Sequence, residues 1–88
     1  MRIDLYLKQC GLLKQRSIAK RACEGGIVRL NGQRVKPGKE VTVGQHIEMN
    51  LPHHLLEVEI TELPGKNVSK SERERFYRVL RDEPKERL

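Results

Sequence analysis

Residues 16–32, RSIAKRACEGGIVRLNG, change their hydrophobic pattern half-way along, and this change decides the fold. Up to Glu24 the apolar side chains follow a helical spacing and cover roughly 140° of the helix circumference. They are Ile18, Ala19, Ala22 and Cys23. Gly25-Gly26 predicts the end of this helix, because glycine readily adopts the left-handed conformation that closes helices. Ile27–Leu30 then predicts a strand, and Asn31-Gly32 is typical of a tight hairpin turn.

An earlier helix is predicted on the N-terminal side of this stretch. Its apolar residues recur at i, i+3, i+4 and i+7, as Ile3, Tyr6, Leu7 and Cys10. Asp4, in the first turn, complements the positive end of the helix dipole, and Gly11 ends the helix.

Strands are predicted on the C-terminal side. Gln33–Lys36 is expected to pair back across the hairpin, with a turn at Pro37-Gly38. Val41–Val43 and Ile47–Met49 alternate with polar residues on either side of Gly44, which predicts a further strand pair. Leu56–Ile60 alternates with glutamates and predicts a strand whose outer face is acidic.

The last segment predicts a helix. Ser69 and Glu72 fit a capping box, and the helix is expected to run to about Asp82. Its apolar side would carry Phe76, Val79 and Leu80. A charged tail, residues 83–88, follows and is expected to fray. The fold class is therefore α+β, with two N-terminal helices packed on a small antiparallel sheet and a C-terminal helix.

Composition argues against catalysis. Only 36% of the 88 residues are hydrophobic and Trp is absent, so we expect one small core without a deep cofactor pocket. Of the three histidines, His46 lies at the start of a predicted strand, and the pair His53-His54 has no acid or nucleophile placed around it. We expect no enzyme and no cofactor. Cys10 and Cys23 match no zinc pattern, so they are expected to be buried structural thiols, with no metal bound.

Positive charge is concentrated at one end of the sequence. Residues 1–39 contain ten Lys or Arg against two acidic residues, whereas residues 51–88 contain eight of each. Such a field attracts polyanions, although a generally basic surface is the simpler alternative. A membrane surface is disfavoured because no bulky apolar face accompanies the cations, and no run is long enough to span a bilayer.

The second helix carries the sharpest basic cluster. Its cations have few acidic partners at i,i+4, and Arg16 is expected to lie about opposite the apolar stripe. A merely solvated face is the alternative. Further cations follow on the hairpin, and residues 7–75 contain no aromatic side chain on which a base could stack. We therefore expect recognition of the backbone and shape of folded RNA.

Five segments in this order resemble the RNA-binding domain named after small-subunit ribosomal protein four. They read RIDLYL from residue 2, KQRSIA from 14, GGIVRLNG from 25, VKPG from 35 and VGQHI from 43. The resemblance implies that two helices and a hairpin form an L-shaped surface that binds structured RNA. We expect residues 1–63 to form this domain, and residues 64–88 to complete the same single domain.

The rest of the chain resembles a narrower family, the RqcP proteins of bacterial ribosome-associated quality control. The segments that carry this likeness are VEITEL from residue 58 and YRVL from 77. The resemblance implies binding to rRNA and peptidyl-tRNA on obstructed large subunits, while a partner, RqcH, adds an alanine tail. The related heat-shock ribosome-binding proteins usually carry a longer basic tail. We expect a cytoplasmic, ribosome-associated monomer.

Within this resemblance, Arg2 and Arg16 match RNA-contacting arginines. The full set expected to bind RNA is Arg2, Lys14, Arg16, Ser17, Lys20, Arg21, Arg29, Asn31, Arg34, Lys36 and Lys39. Gln15 stands where the family commonly has a basic residue, which would lower the affinity. Gly44-Gln45 replaces a frequent Gly-Asp and should affect only a turn.

Other functions stay open at this point. A generic rRNA or tRNA binder, in ribosome assembly or heat-shock rescue, differs by not depending on a trapped peptidyl-tRNA. The domain also occurs in RNA-modifying enzymes, although the capped last helix and charged end look like a true terminus. A protein adaptor would need an exposed apolar patch, for which Tyr77 and Leu80 are available.

Overall fold

The structure is a computed structural model that describes residues 1–65 and 68–85. It contains two α-helices, a 3₁₀ helix and one antiparallel sheet in the order β2-β1-β3-β4-β5. The helices are α1 (Ile3–Gln9), α2 (Arg16–Glu24) and the 3₁₀ helix (Lys70–Phe76). The strands are β1 (Val28–Leu30), β2 (Gln33–Arg34), β3 (His46–Asn50), β4 (His54–Ile60) and β5 (Tyr77–Pro84). The predicted α+β class is confirmed.

One hydrophobic core joins the helices to the sheet. Alternate residues of β1, β3 and β4 are buried, and the apolar side of α1 packs with them. The α1 residues in the core are Ile3, Tyr6, Leu7 and Cys10, as predicted. Cys10 and Cys23 are both buried, which confirms them as structural thiols, and burial raises the pKa of each to about 11. Both thiols are therefore protonated at neutral pH.

The buried side of α2 is narrower than predicted. Ala19, Ala22 and Cys23 are buried, but Ile18 is 37% exposed. Ile18 lies about 100° around the helix from Ala19, at the edge of the stripe. The small alanine side chains let α2 approach the core closely, so the helix rests on them rather than on the larger isoleucine.

The hairpin at Asn31-Gly32 is confirmed. Both residues have positive φ, 50° and 81°, as the two central positions of a type I′ turn require. The returning strand is shorter than predicted, because β2 contains only Gln33–Arg34. From Val35 the chain leaves the sheet and runs towards the start of α1.

The predicted strand at Val41–Val43 is wrong. The amide N–H of Val41 donates to the carbonyl of Met1, and the carbonyl of Lys39 accepts from Ile3 N–H. This segment therefore bonds to the N-terminal residues instead of to β3. Val43 is 59% exposed, and Gly44 turns the chain into β3 with a φ of 94°.

The predicted C-terminal helix is only half right. A 3₁₀ helix forms at Lys70–Phe76, without a side-chain cap from Ser69, but Tyr77–Pro84 is a strand and not a helix. The strand forms because of tertiary structure. Without β5, β4 would be an unpaired edge of the sheet, and β5 pairs along its whole length. Residues 86–88 of the predicted tail lie outside the described residues.

Side-chain pairing stabilises this strand. Tyr77 and Val79 stand opposite Ile60 and Val58, and a register shift at Glu57/Val58 leaves Leu80 without an opposite residue. The Tyr6 hydroxyl donates a buried hydrogen bond of 2.7 Å to the Phe76 carbonyl. The C-terminal segment is thereby attached to α1 as well as to the sheet.

Candidate RNA-binding surface

Asp4 is the one buried charged residue in the part of the chain that the structure describes, with 2% of its surface exposed. Its Oδ2 accepts a hydrogen bond from Arg2 Nη2 at 3.1 Å and lies 3.4 Å from Arg16 Nε. Its Oδ1 accepts from the Leu5 amide at 2.8 Å. Burying a carboxylate costs free energy unless it is paired, and the two guanidinium groups offset that cost. We refer to Asp4, Arg2 and Arg16 as the Asp4 cluster.

The two arginines of the Asp4 cluster stay accessible. The side chains of Arg2 and Arg16 are 47% and 48% exposed, so each guanidinium contacts Asp4 on one side and solvent on the other. A guanidinium has five donors in a planar fork, and a single carboxylate oxygen uses only part of them. The remaining donors can bind an anion.

The position of Arg2 depends on the turn at residues 36–39. The backbone of Arg2 forms an isolated antiparallel β-bridge with the backbone of Glu40. The Arg2 guanidinium lies beside Gly38, where an added Cβ would be 3.6 Å from Nη2. The amide of Asp4 also donates to the Pro37 carbonyl, at 3.3 Å. These bonds place the exposed Lys36 and Lys39 on the turn beside the Asp4 cluster.

The structure corrects the expected orientation of Arg16. Its contact with Asp4 shows that it flanks the buried stripe of α2 instead of lying opposite to it. Lys20 follows one turn later on the same flank, whereas Arg21 lies nearly opposite the stripe. Ser17 is exposed, and its hydroxyl lies 3.4 Å from Gln15 Oε1. Lys14 is exposed in the loop before α2.

Two residues that were predicted to contact RNA, Arg34 and Asn31, form hydrogen bonds within the protein. Arg34 Nη2 donates to the Glu24 carbonyl at 2.8 Å, so it caps the C-terminal end of α2. Asn31 Oδ1 accepts from the His46 amide at 2.8 Å, which ties the hairpin to β3. Their predicted role in RNA binding would have to use their remaining donors.

Arg29 lies apart from the Asp4 cluster. Its neighbours Val28 and Leu30 are both buried, so Arg29 points to the sheet face away from the core. There it stands opposite Glu48 on β3 and Arg34 on β2. The predicted set therefore divides between the helical surface and the outer face of the sheet.

Several charged side chains on the outer face of β3–β5 form ion pairs with one another. Glu59 pairs with Arg78, and Glu57 lies 3.3 Å from His46 Nδ1. Arg75 and Arg81 also form ion pairs, with Glu62 and Glu83. Over residues 1–65 and 68–85, by contrast, Arg16 is the one cation of α2 and the 36–39 turn that forms an ion pair. The unpaired cations are Lys20, Arg21, Lys36 and Lys39. An anionic ligand therefore meets net positive charge on the α1–α2 side.

Other kinds of site find little support in the described residues. They contain no group of three His, Cys, Asp or Glu side chains that could hold a metal ion. None of their helices combines the length and the apolar character needed to cross a bilayer.

Comparison with known proteins agrees with this geometry. Residues 1–47 match the S4 domain family. Over 84 residues the chain is 37% identical to the RQC P-site tRNA stabilizing factor of Halalkalibacterium halodurans, covering 96% of this chain and 94% of that protein. This chain belongs to the RQC P-site tRNA stabilizing factors. The Bacillus subtilis member is 30% identical over 83 residues, with 94% and 95% covered.

A solved structure extends the comparison beyond RQC P-site tRNA stabilizing factors. Trimeric Vibrio cholerae Heat Shock Protein 15 superposes with a TM-score of 0.84 at 33% identity, over 90% of this chain and 80% of that one. The predicted relationship to the quality-control factors and to the heat-shock ribosome-binding proteins is confirmed.

The Asp4 cluster is the feature that sequence reasoning missed. Asp4 was expected to act only on the helix dipole, although an arginine two positions earlier was a visible signal. Arg16 lies on another helix, and its contact with Asp4 depends on how α1 and α2 pack.

Proposed function

We propose that this chain is a non-catalytic binder of folded rRNA and tRNA in the cytoplasm. It acts on obstructed large ribosomal subunits and holds the peptidyl-tRNA in place while an RqcH-like factor adds a C-terminal alanine tail. The observation that carries the proposal is the Asp4 cluster, in which a buried carboxylate fixes two half-exposed arginines. The name of the relatives, which describes a factor that stabilises P-site tRNA, supports the choice of RNA.

The proposed mechanism is positional. Arginine forks match the geometry of phosphate oxygens, and arginines already held by Asp4 lose less conformational entropy when they bind. The unpaired cations of α2 and the 36–39 turn would contact further phosphates along the same RNA backbone. Residues 1–63 would supply this surface, and the C-terminal segment would complete the same domain by pairing β5 with β4.

Sedimentation tests the proposal. Wild-type protein should co-sediment with large subunits that carry a trapped peptidyl-tRNA, and Arg16→Gln should reduce this association at least tenfold. Gln is preferred to Glu at this position because a second carboxylate would repel Asp4. Arg78→Gln is the matched control, since Arg78 lies on the outer face of β3–β5 and pairs with Glu59. Equal association of the wild type and Arg16→Gln would contradict the proposal.

A second candidate is a general rRNA or tRNA binder of the heat-shock type. The TM-score of 0.84 to Heat Shock Protein 15 favours it specifically. The two functions differ in their dependence on the nascent chain. Transferring the peptide from the tRNA to puromycin and then washing out the deacylated tRNA should abolish association for a quality-control factor and leave it unchanged for a general binder.

A further inference from the structure

An open cleft lies where the chain leaves the sheet after β2. It has a volume of about 470 Å³, within the range of roughly 300–1,000 Å³ typical of small-ligand sites. The C-terminal end of α2 forms one wall and the segment from Arg34 to Pro37 forms the other. The cleft exists because β2 ends at Arg34, so that Val35–Pro37 crosses from the sheet to α1 without a neighbouring strand.

Much of the wall of this cleft is apolar. Cys23 is 1% exposed, and Val35 packs against the core with part of its side chain still accessible. Pro37 is half-buried, and its ring has no donor. A phosphate would gain nothing from such walls, whereas the face of a nucleobase would bury apolar surface against them.

Polar groups surround the apolar walls. Arg34 and Lys36 line the cleft, and the carbonyl of Glu24 is already occupied by Arg34. In the described part of the chain, no hydrogen bond outside the sheet ladder engages the C=O of Val35 or the N–H of Lys36. These backbone groups could bind the edge of a base, while the lysine and arginine contact the flanking phosphates.

We propose that this cleft binds the base of one unpaired nucleotide in the folded RNA. The inference rests on the proposed function, because it requires the surface around the cleft to bind RNA. It adds a specific contact to what would otherwise be recognition of backbone alone. The aliphatic walls explain how a base can be held by a surface that offers no aromatic platform in residues 7–75.

The experiment compares three RNAs of one sequence: a hairpin with a single-nucleotide bulge, the same hairpin fully paired, and the same bulge with an abasic residue. We expect wild-type protein to bind the bulged RNA about fivefold more tightly than either of the others. Equal affinity for the three RNAs would overturn the proposal. A preference that the abasic bulge retains would also overturn it, because phosphates or shape would then suffice.

Two substitutions separate this proposal from the proposed function. Val35→Gln should remove the preference for the bulge, whereas the matched control Val43→Gln should leave it intact, since Val43 is 59% exposed and outside the cleft. Arg16→Gln should weaken binding of all three RNAs in parallel. If Arg16→Gln has no effect, the Asp4 cluster does not bind RNA; if Val35→Gln keeps the preference, only the cleft proposal fails.

Photo-crosslinking gives a readout that does not depend on a variant folding. A 4-thiouridine in the bulge should crosslink to wild-type protein at Cys23 or within residues 34–37. Crosslinks confined to other parts of the chain would overturn the assignment of the base to this cleft.

Discussion

Asp4 is almost completely buried, and the guanidinium groups of Arg2 and Arg16 lie beside its carboxylate. The same contacts restrict where the guanidinium groups can lie, so a stabilising interaction also arranges the surface. Sequence spacing cannot show this, because Asp4 and Arg16 meet only through the packing of two helices. By contrast, the burial of Cys10 and Cys23 was predictable, because it depends on the position of each within its own helical stripe.

Because the side chains of Cys10, Cys23 and Tyr6 are buried, the stability of the fold changes with pH in the alkaline range. Burial raises the pKa of Cys10 and Cys23 from 9.0 to about 11, and burial also raises the pKa of Tyr6. Above pH 9 the unfolded chain loses these thiol protons while the folded chain keeps them, so the unfolded state is stabilised. We expect the midpoint temperature of thermal unfolding to decrease as the pH is raised from 9 to about 11. Substituting both cysteines with Ala should make this fall smaller, and a constant wild-type midpoint would contradict the account.

At the scale of elements, the helices and turns that depend on local sequence were predicted correctly. The elements that depend on pairing with another part of the chain were not. The helices α1 and α2 and the Asn31-Gly32 hairpin depend on periodicity, glycines and turn residues within a few positions. The strand β5 depends on pairing with β4, and this tertiary pairing ends the helix that follows Ser69 at Phe76 instead of at Asp82. Val41–Val43 fails as a strand for a similar reason, because its partner is the N-terminal segment.

Gly26 links helix termination to the cation Arg34. Its φ is 76°, and a Cβ there would lie 3.1 Å from Arg34 Nε. Gly26→Ala should therefore lower the free energy of unfolding by about 1–2 kcal/mol through left-handed strain, and it should also displace Arg34 from the Glu24 carbonyl. Gly32→Ala is the matched control, because Gly32 has a φ of 81° with no atom within 4 Å of its Cβ.

Denaturant unfolding and RNA titration of both glycine variants would check this prediction. Similar losses of stability are expected for the two. Only Gly26→Ala should weaken the binding of RNA, and an equal loss of affinity in Gly32→Ala would show that Arg34 is not the cause.

At the scale of the whole molecule, charge is distributed unevenly between two surfaces. The α1–α2 side carries unpaired cations, while on the outer face of β3–β5 Glu57 and Glu59 pair with His46 and Arg78. The charge bias of residues 1–39 was visible in the sequence. The pairing on the other face was not, because it needs the register of β5 against β4.

This distribution predicts a strong dependence of RNA binding on salt. If about six cations contact phosphates, affinity should fall roughly a thousandfold between ~50 and ~200 mM salt. Arg16→Gln should reduce the slope of log affinity against log salt by about one, whereas Arg78→Gln should leave the slope unchanged. A wild-type affinity that does not vary with salt would contradict binding through phosphates.

The most direct test of the central claim is a double-mutant cycle on obstructed large subunits that carry a peptidyl-tRNA. The affinities of wild type, Asp4→Asn, Arg16→Gln and the double variant would be compared, after unfolding curves show that each variant is folded. If Asp4 acts by positioning Arg16, the two substitutions should be strongly non-additive, with a coupling free energy of about 1 kcal/mol or more. Additive effects, or affinities equal to that of the wild type, would contradict the account.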